Sequence, residues 1–298
     1  MEKKQALCIL NPVAGRLESP QNIQAMLQRH IGKDYDISYR FTSARGDAIQ
    51  AIWESAASAA LLICCGGDGT LNEMITGMRL AGIKLPIFFV PCGTTNDLAR
   101  TLGIPVHPPR CIETFPQTCP FPIDAGQFNQ TRCFTYIAAF GAFTEISYAT
   151  PQSAKNRWGY LAYLSQFFKG LLRARSHRVT LYADGQQYCG RYLFGSITNS
   201  LSIGRVLKLH GQGVSMDDGE LELLLVTRPK NILALPYTAL KLLLKKYNTK
   251  GILLKKCKSV SLQFDEEVPW TIDGEYGGKT NSVEIKVLPQ FYEIHVGQ

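Results

Sequence analysis

The stretch that most constrains this chain is an unbroken apolar run, Leu61 to Cys65. It stops on Gly66-Gly67-Asp68-Gly69-Thr70 and gives way to Leu71, Met74, Ile75 and Met78. A short apolar run closed by glycine reads as a strand buried on both faces, and the spacing after it is that of a helix with one apolar face. Strand, tight loop and helix in that order belong to a parallel sheet, whose neighbouring strands need a crossover. The same order recurs upstream. Ala6 to Leu10 ends on Asn11-Pro12-Val13-Ala14-Gly15, ahead of Ile23, Met26, Leu27 and His30 at helical spacing. Ile37, Tyr39 and Phe41 alternate as a strand does, and Thr42 opens a loop into a helix-like stretch over 47–60. Ile87 to Val90 is a further strand, followed by Pro91-Cys92-Gly93-Thr94-Thr95-Asn96-Asp97 and a short helix over 98–102.

The texture changes after the proline-rich stretch 105–122. Phe134 to Ala139, Val179 to Ala183, Tyr192 to Thr198, Leu221 to Val226, Val260 to Phe264 and Val283 to Val287 read as strands, several of them separated by D-G turns. Helices are expected over 160–172 and 232–247. The expected fold is an α/β domain over 1–123 with a parallel sheet, then a mostly antiparallel β-rich domain over 124–287. The last strand-like piece, 291–296 within 288–298, is expected to return to the first domain. The length of 298 residues suits two domains.

The nine cysteines show no C-x-x-C spacing, which argues for a reducing, cytoplasmic setting and against a zinc site. The apolar run after Met1-Glu2-Lys3-Lys4 is too short for a signal peptide, and no run approaches the ~20 apolar residues of a membrane span. The net charge of +8 is uneven, with seven lysines and no acid between Lys241 and Lys258, interleaved with leucine and isoleucine. Such a segment is a solvated face, a nucleic-acid patch or an anionic-membrane patch.

All three glycine-bearing loops follow strands of the parallel sheet, at the edge where open α/β sheets bind ligands. Glycines at Gly66, Gly67 and Gly69 let backbone N–H groups approach an anion, and the helix beginning near Leu71 points its positive end at the same place. Asp68 beside phosphates makes sense if magnesium lies between them, or if it meets a ribose or an acceptor hydroxyl. Alone, the loop is equally a glycine turn in which Asp68 caps the next helix. No G-x-x-x-x-G-K-[ST] is present, no G-x-G-x-x-G follows a strand, and the protein-kinase H-R-D and D-F-G elements are missing.

Gly66-Gly67-Asp68-Gly69-Thr70-Leu71-Asn72-Glu73 followed by Pro91-x-Gly93-Thr94-x-Asn96-Asp97 resembles the catalytic-domain signature of diacylglycerol kinases and related sphingosine and ceramide kinases. Asn11-Pro12-x-x-Gly15 and Asp273-Gly274-Glu275 fit the same pattern, in order across nearly the whole chain. The resemblance implies a first domain like that of NAD kinases and phosphofructokinases and a β-sandwich-like second domain. It implies an ATP site between the domains, lined by Asn11, Pro12, Val13, Ala14, Gly15, Thr42, Gly67, Asp68, Gly69, Thr70, Leu71, Asn72, Glu73 and Thr94, with Asn96 and Asp97 in the same set. Asp68 would position metal and phosphates, and Glu275 would be the general base for the lipid hydroxyl. By itself, Asp273-Gly274-Glu275 is a hairpin turn. Asp217-Asp218-Gly219 resembles the structural magnesium site of bacterial members, which implies Ser215, Asp218 and Glu220 as ligands. Ala14 departs from the serine that members often carry there. The expected partners are ATP, Mg2+, a lipid substrate and the inner face of an anionic membrane, with no nucleic acid and a homodimer left open. A kinase for a soluble acceptor such as NAD, or a regulator without catalysis, are the alternatives.

Overall fold

The apolar run that ends on Gly66 is strand β3 (Leu61–Gly66), buried at every residue. A computed structural model describes residues 3–15, 17, 19–142, 175–200, 202–203, 207–208, 215–229, 231 and 234–297. The helix expected over 160–172 lies outside them. The chain forms two compact units. One comprises Met1–Ala125, Thr131–Cys133 and Pro289–Gln298, and the other Gly126–Gln130 and Phe134–Leu288.

In the first unit, β3 pairs in parallel with β1 (Lys4–Leu10) on one side and β4 (Pro86–Pro91) on the other. β1 in turn pairs in parallel with β2 (Tyr35–Phe41). Helix α1 (Pro20–His30) starts where Ser19 accepts the Asn22 N–H and Pro20 has no N–H to leave unpaired, and it buries Ile23 and Leu27. Helices α2 (Asp47–Ser55) and α3 (Asp68–Ala81) pack together at Gly77, where an added Cβ would lie 3.0 Å from Ile52 Cβ. After β4 come α4 (Asp97–Thr101) and α5 (Pro108–Thr114), and α5 packs on α1.

The second unit is antiparallel throughout the pairings described. β12 (Leu221–Thr227) lies between β13 (Ile252–Cys257) and β9 (Gln186–Thr198). β9 continues to β7 (Ile137–Gly141), β7 to β14 (Ser259–Ile272), and β14 to β15 (Glu275–Gly297). β8 (His177–Ala183) pairs with β9 and also with β14. The pairing therefore closes on itself through β7, β9, β8 and β14, instead of forming two separate sheets. β9 and β14 are long enough, at 13 and 14 residues, to pair with β8 along one part and β7 along another. Trp270, Phe140, Phe264 and Phe128 form an aromatic core on one face of the sheet, with ring centroids 4.9–6.0 Å apart. On the other face, helix α6 (Leu235–Leu243) covers Leu224 and Val226 with Leu235, Ala239 and Leu242.

β15 belongs to both units. Its first part pairs with β14, whereas Glu293 and Ile294 pair in parallel with Pro86 and Ile87 of β4. The passage is marked by Gln290, at φ 43°, whose N–H donates to the buried Asp124 carboxylate at 2.6 Å.

Candidate active site

Because β1, β3 and β4 are parallel, the loops after them leave the same edge of the first unit's sheet, and their backbones meet there. The first loop is joined to the strand beside it by the Asn11 N–H, which donates to Cys65 O at 2.9 Å. Asn11 then folds its own loop, its Oδ1 accepting the Val13 N–H at 3.1 Å. Gly15 faces the third loop, and an added Cβ would stand 3.1 Å from Thr94 Oγ1. Gly67 and Gly93 come closer still: a Cβ on Gly93 would lie 2.6 Å from Gly67 Cα and 2.7 Å from Asn96 Oδ1. Glycine is required at this point for approach rather than for turning.

Asp68 occupies the first position of α3, whose N-cap is Gly67. Its carboxylate reaches across and accepts the N–H groups of Asp97 (3.1 Å) and Leu98 (3.4 Å), capping α4. Asp68 is thus a cap, though of the neighbouring loop's helix. Asn96 is fully buried in the left-handed region at φ 50°, and its amide donates to Gly93 O (2.7 Å) and Pro91 O (3.3 Å). It shapes the loop from inside. Leu71 is wholly in the core, and Asn72 donates to Cys133 O at 2.7 Å, so both face inward. Glu73 accepts the Gly46 N–H at 2.9 Å and ties the loop after β2 to α3. Thr42 is buried, with its N–H on Leu10 O. Pro12, Val13 and Thr94 are exposed, and Ala14, Gly69 and Asp97 are half-buried on this edge. Thr70 is buried against Gly66, where an added Cβ would meet Thr70 Oγ1 at 2.5 Å. A cavity of about 710 Å³ opens beside Gly15 between Ile23, Met26, Val106 and Pro108. Its described walls share Gly15 with this edge and include nothing from the Gly66–Thr70 loop.

Glu275 stands in the second unit as the exposed first residue of β15, at the end of the β14–β15 turn. Asp273 and Gly274 make that turn at φ 48° and 84°. The Asp273 carboxylate accepts the N–H groups of Thr135 (2.8 Å), Tyr136 (2.9 Å) and Ile137 (2.9 Å), and the Thr135 hydroxyl at 3.0 Å. The base of the turn is therefore fixed while Glu275 projects from it.

The residues expected to bind structural magnesium are drawn together with a lysine. Lys256 Nζ bonds the Asp218 carboxylate and lies 3.6 Å from Glu220 Oε2, and Asp218 Oδ1 also accepts the Glu220 N–H at 3.1 Å. Ser215 Oγ bonds Asp217. Among the described residues, no group of three or more His, Cys, Asp or Glu could hold a metal ion. The single Lys256 ammonium is shared between the Asp218 and Glu220 carboxylates. The sequence reading missed Glu222, 1% exposed on β12, whose two carboxylate oxygens have no hydrogen-bond partner from another residue among those described. Burial, and then the Asp218 charge, push its pKa up to about 8 against the pull of Lys256. A lone acid inside Leu221–Val226 was the signal available.

Comparison with known proteins defines the class as a kinase: residues 5–128 match the diacylglycerol kinase catalytic domain. A diacylglycerol kinase of Bacillus subtilis is 31% identical over 92% of this chain and 91% of its own length. One from Staphylococcus aureus is 29% identical over 93% of this chain and 88% of its own. A crystal structure of a Bacillus anthracis diacylglycerol kinase shares the fold at TM-score 0.76, with 23% identity, over 100% of this chain and 98% of that one. The chain belongs to the diacylglycerol kinase family.

Proposed function

We propose that this chain transfers the γ-phosphoryl group of ATP to the hydroxyl of diacylglycerol or a closely related lipid. The observation that carries the reading is the close approach of Gly67 to Gly93, with Gly15 beside Thr94, at one edge of a parallel sheet. Glycine backbones this close leave room for phosphate oxygens against N–H groups, and the start of α3 adds its dipole. In this reading Asn11–Gly15, Thr42, Gly67–Glu73, Thr94, Asn96 and Asp97 form the nucleotide site. Some line it directly, whereas Asp68, Asn72 and Asn96 hold the loops in shape. Phosphoryl transfer asks the protein mainly for positioning and charge stabilisation, plus a group to take the hydroxyl proton. The exposed carboxylate of Glu275 is that group. Magnesium arriving with the nucleotide would neutralise phosphate charge, and no step is assigned to a metal at Asp218. Nine free thiols suit a reducing cytoplasm, and among the described residues no helix is long and apolar enough to cross a membrane.

The test is transfer of label from γ-labelled ATP into a total lipid extract, resolved by species, with soluble acceptors in parallel. Label in phosphatidate supports the reading, and label only in a soluble acceptor sinks it. Glu275→Gln should keep ATP affinity within about twofold and lose at least ~100-fold in kcat, the usual range for a general base. A fully active variant removes Glu275 from the role.

A further inference from the structure

Helix α6 has two apolar faces, and among the described residues only one is covered. Leu235, Ala239 and Leu242 are buried against the sheet. On the opposite side Tyr237, Leu240 and Leu244 follow one another at helical spacing and are 62%, 47% and 56% exposed. Residues three and four apart share a helix face, so these three side chains form one apolar stripe. Lysines border it. Lys241 Nζ lies 4.7 Å from the centre of the Tyr237 ring, and Lys245 and Lys246, both exposed, follow Leu244. They are held in place by the helix end: the Lys246 N–H donates to Lys241 O (2.8 Å) and the Lys245 N–H to Leu242 O (3.1 Å). That hydrogen-bond pattern puts Lys245 in the left-handed region at φ 55°, a position usually filled by glycine. No Asp or Glu occurs anywhere from residue 223 to residue 264.

The structure also divides the lysine-rich segment. Lys255 and Lys256 leave α6 behind and sit on β13, where Lys255 bonds Gln186 Oε1 and Lys256 bonds Asp218. Their charge is engaged by the second unit itself. Among the described residues of the segment, Lys245 and Lys246 are exposed beside the apolar stripe, and the half-buried Lys241 lies over the Tyr237 ring.

We propose that the outer face of α6 is a docking surface for an anionic lipid bilayer. Tyr237, Leu240 and Leu244 enter the boundary between headgroups and acyl chains, and Lys241, Lys245 and Lys246 lie among the headgroups. An apolar stripe edged by lysine with no acid nearby is the pattern of a helix lying in a membrane interface. Each lysine near an anionic surface contributes about a fivefold gain in partitioning, so three give roughly 100-fold. The proposal rests on the lipid-kinase reading only for the reason such a surface would be useful.

Flotation of the full chain without ATP or diacylglycerol tests it. The probes are phosphatidylcholine vesicles and equimolar phosphatidylglycerol–phosphatidylcholine vesicles, at low and at high salt. The wild type should float with the anionic vesicles and about 100-fold less with the neutral ones. The triple variant Lys241→Gln, Lys245→Gln, Lys246→Gln should lose most of that difference. Tyr237→Ser, Leu240→Ser, Leu244→Ser should cut binding at least tenfold and leave binding resistant to salt in the wild type alone. Lys255→Gln should bind within twofold of wild type. Circular dichroism spectra matching wild type exclude unfolding as the cause. Wild-type affinity in both triple variants overturns the proposal, as does a wild type that ignores vesicles yet is retained by DNA or an acidic protein column. Turnover of dioctanoylglycerol in detergent micelles is measured separately, and the α6 variants should retain it. If even the wild type shows no turnover there, the kinase reading fails while flotation still decides the docking surface.

Discussion

Two carboxylates of the second unit have opposite surroundings. Asp273 receives three backbone N–H groups and a hydroxyl, so its charge is fully solvated by the protein. Among the described residues Glu222 finds no donor beyond its own N–H, and it is driven toward its neutral form, with a pKa of about 8. Because the folded pKa lies above the ordinary 4.5, the folded state holds the proton more tightly than the unfolded chain does. The contribution to stability is therefore greatest below pH 4.5, falls as pH rises toward about 8, and is constant above that. Glu222→Gln keeps the shape and removes the titration. It should flatten this pH dependence and stabilise the fold at pH 8.5 by about 1–3 kcal/mol relative to wild type. Urea unfolding at pH 5, 7 and 8.5 measures both effects, and an unchanged slope in the variant would refute the assignment. Neither environment could be read from local sequence: the Asp273–Thr135 contact spans 138 residues.

Among the elements, the two glycine loops depend on each other. Gly93→Ala would drive a methyl group into Gly67 Cα and Asn96 Oδ1. Overpacking of that kind costs about 1–3 kcal/mol, so ATP affinity should fall roughly tenfold or more. Titration calorimetry checks this, and undiminished affinity would mean the loops can part without consequence for the nucleotide. The loops themselves were legible because each motif is contiguous. What joins them was not, since Asp68 caps a helix 29 residues away. The proline-rich stretch 105–122, at which the sequence changes texture, contains regular structure. Pro108 and Pro109 open α5, where a missing N–H costs nothing, and Pro120 and Pro122 lie within strand β5 (Thr118–Phe128). The strand expected over 134–139 is interrupted at Thr135 and Tyr136 because their N–H groups are taken by Asp273. Helix α2 ends at Ser55 rather than near residue 60, with the Ala56 N–H closing its last turn on Ile52 O.

Across the molecule, cysteine is core material. Cys8, Cys64, Cys65, Cys92, Cys111, Cys133 and Cys257 are buried, Cys119 is half-buried, and only Cys189 is exposed. Burial raises the thiol pKa of Cys64, Cys92 and Cys111, and that of Cys257 to about 12. A thiol reagent should label Cys189 first in the native protein and the buried seven only after unfolding, with mass spectrometry locating each adduct. Early labelling of Cys64 or Cys92 would show that the first unit opens readily. The apolar runs around Cys8 and Cys64 announced that burial from sequence. The lysine-rich segment could not be resolved in the same way, because β13 has leucines and lysines side by side and only its pairing with β12 separates Lys255 and Lys256 from α6. The shared strand β15 imposes an order on biosynthesis. Residues 1–125 emerge from the ribosome with β4 at the rim of an unfinished sheet, and its partner residues, Glu293 and Ile294, come only after the whole second unit. At ~5–20 residues per second that rim is open for about 10–30 s. For that interval the nascent chain carries an unpaired strand edge, the feature most prone to pairing with the wrong neighbour.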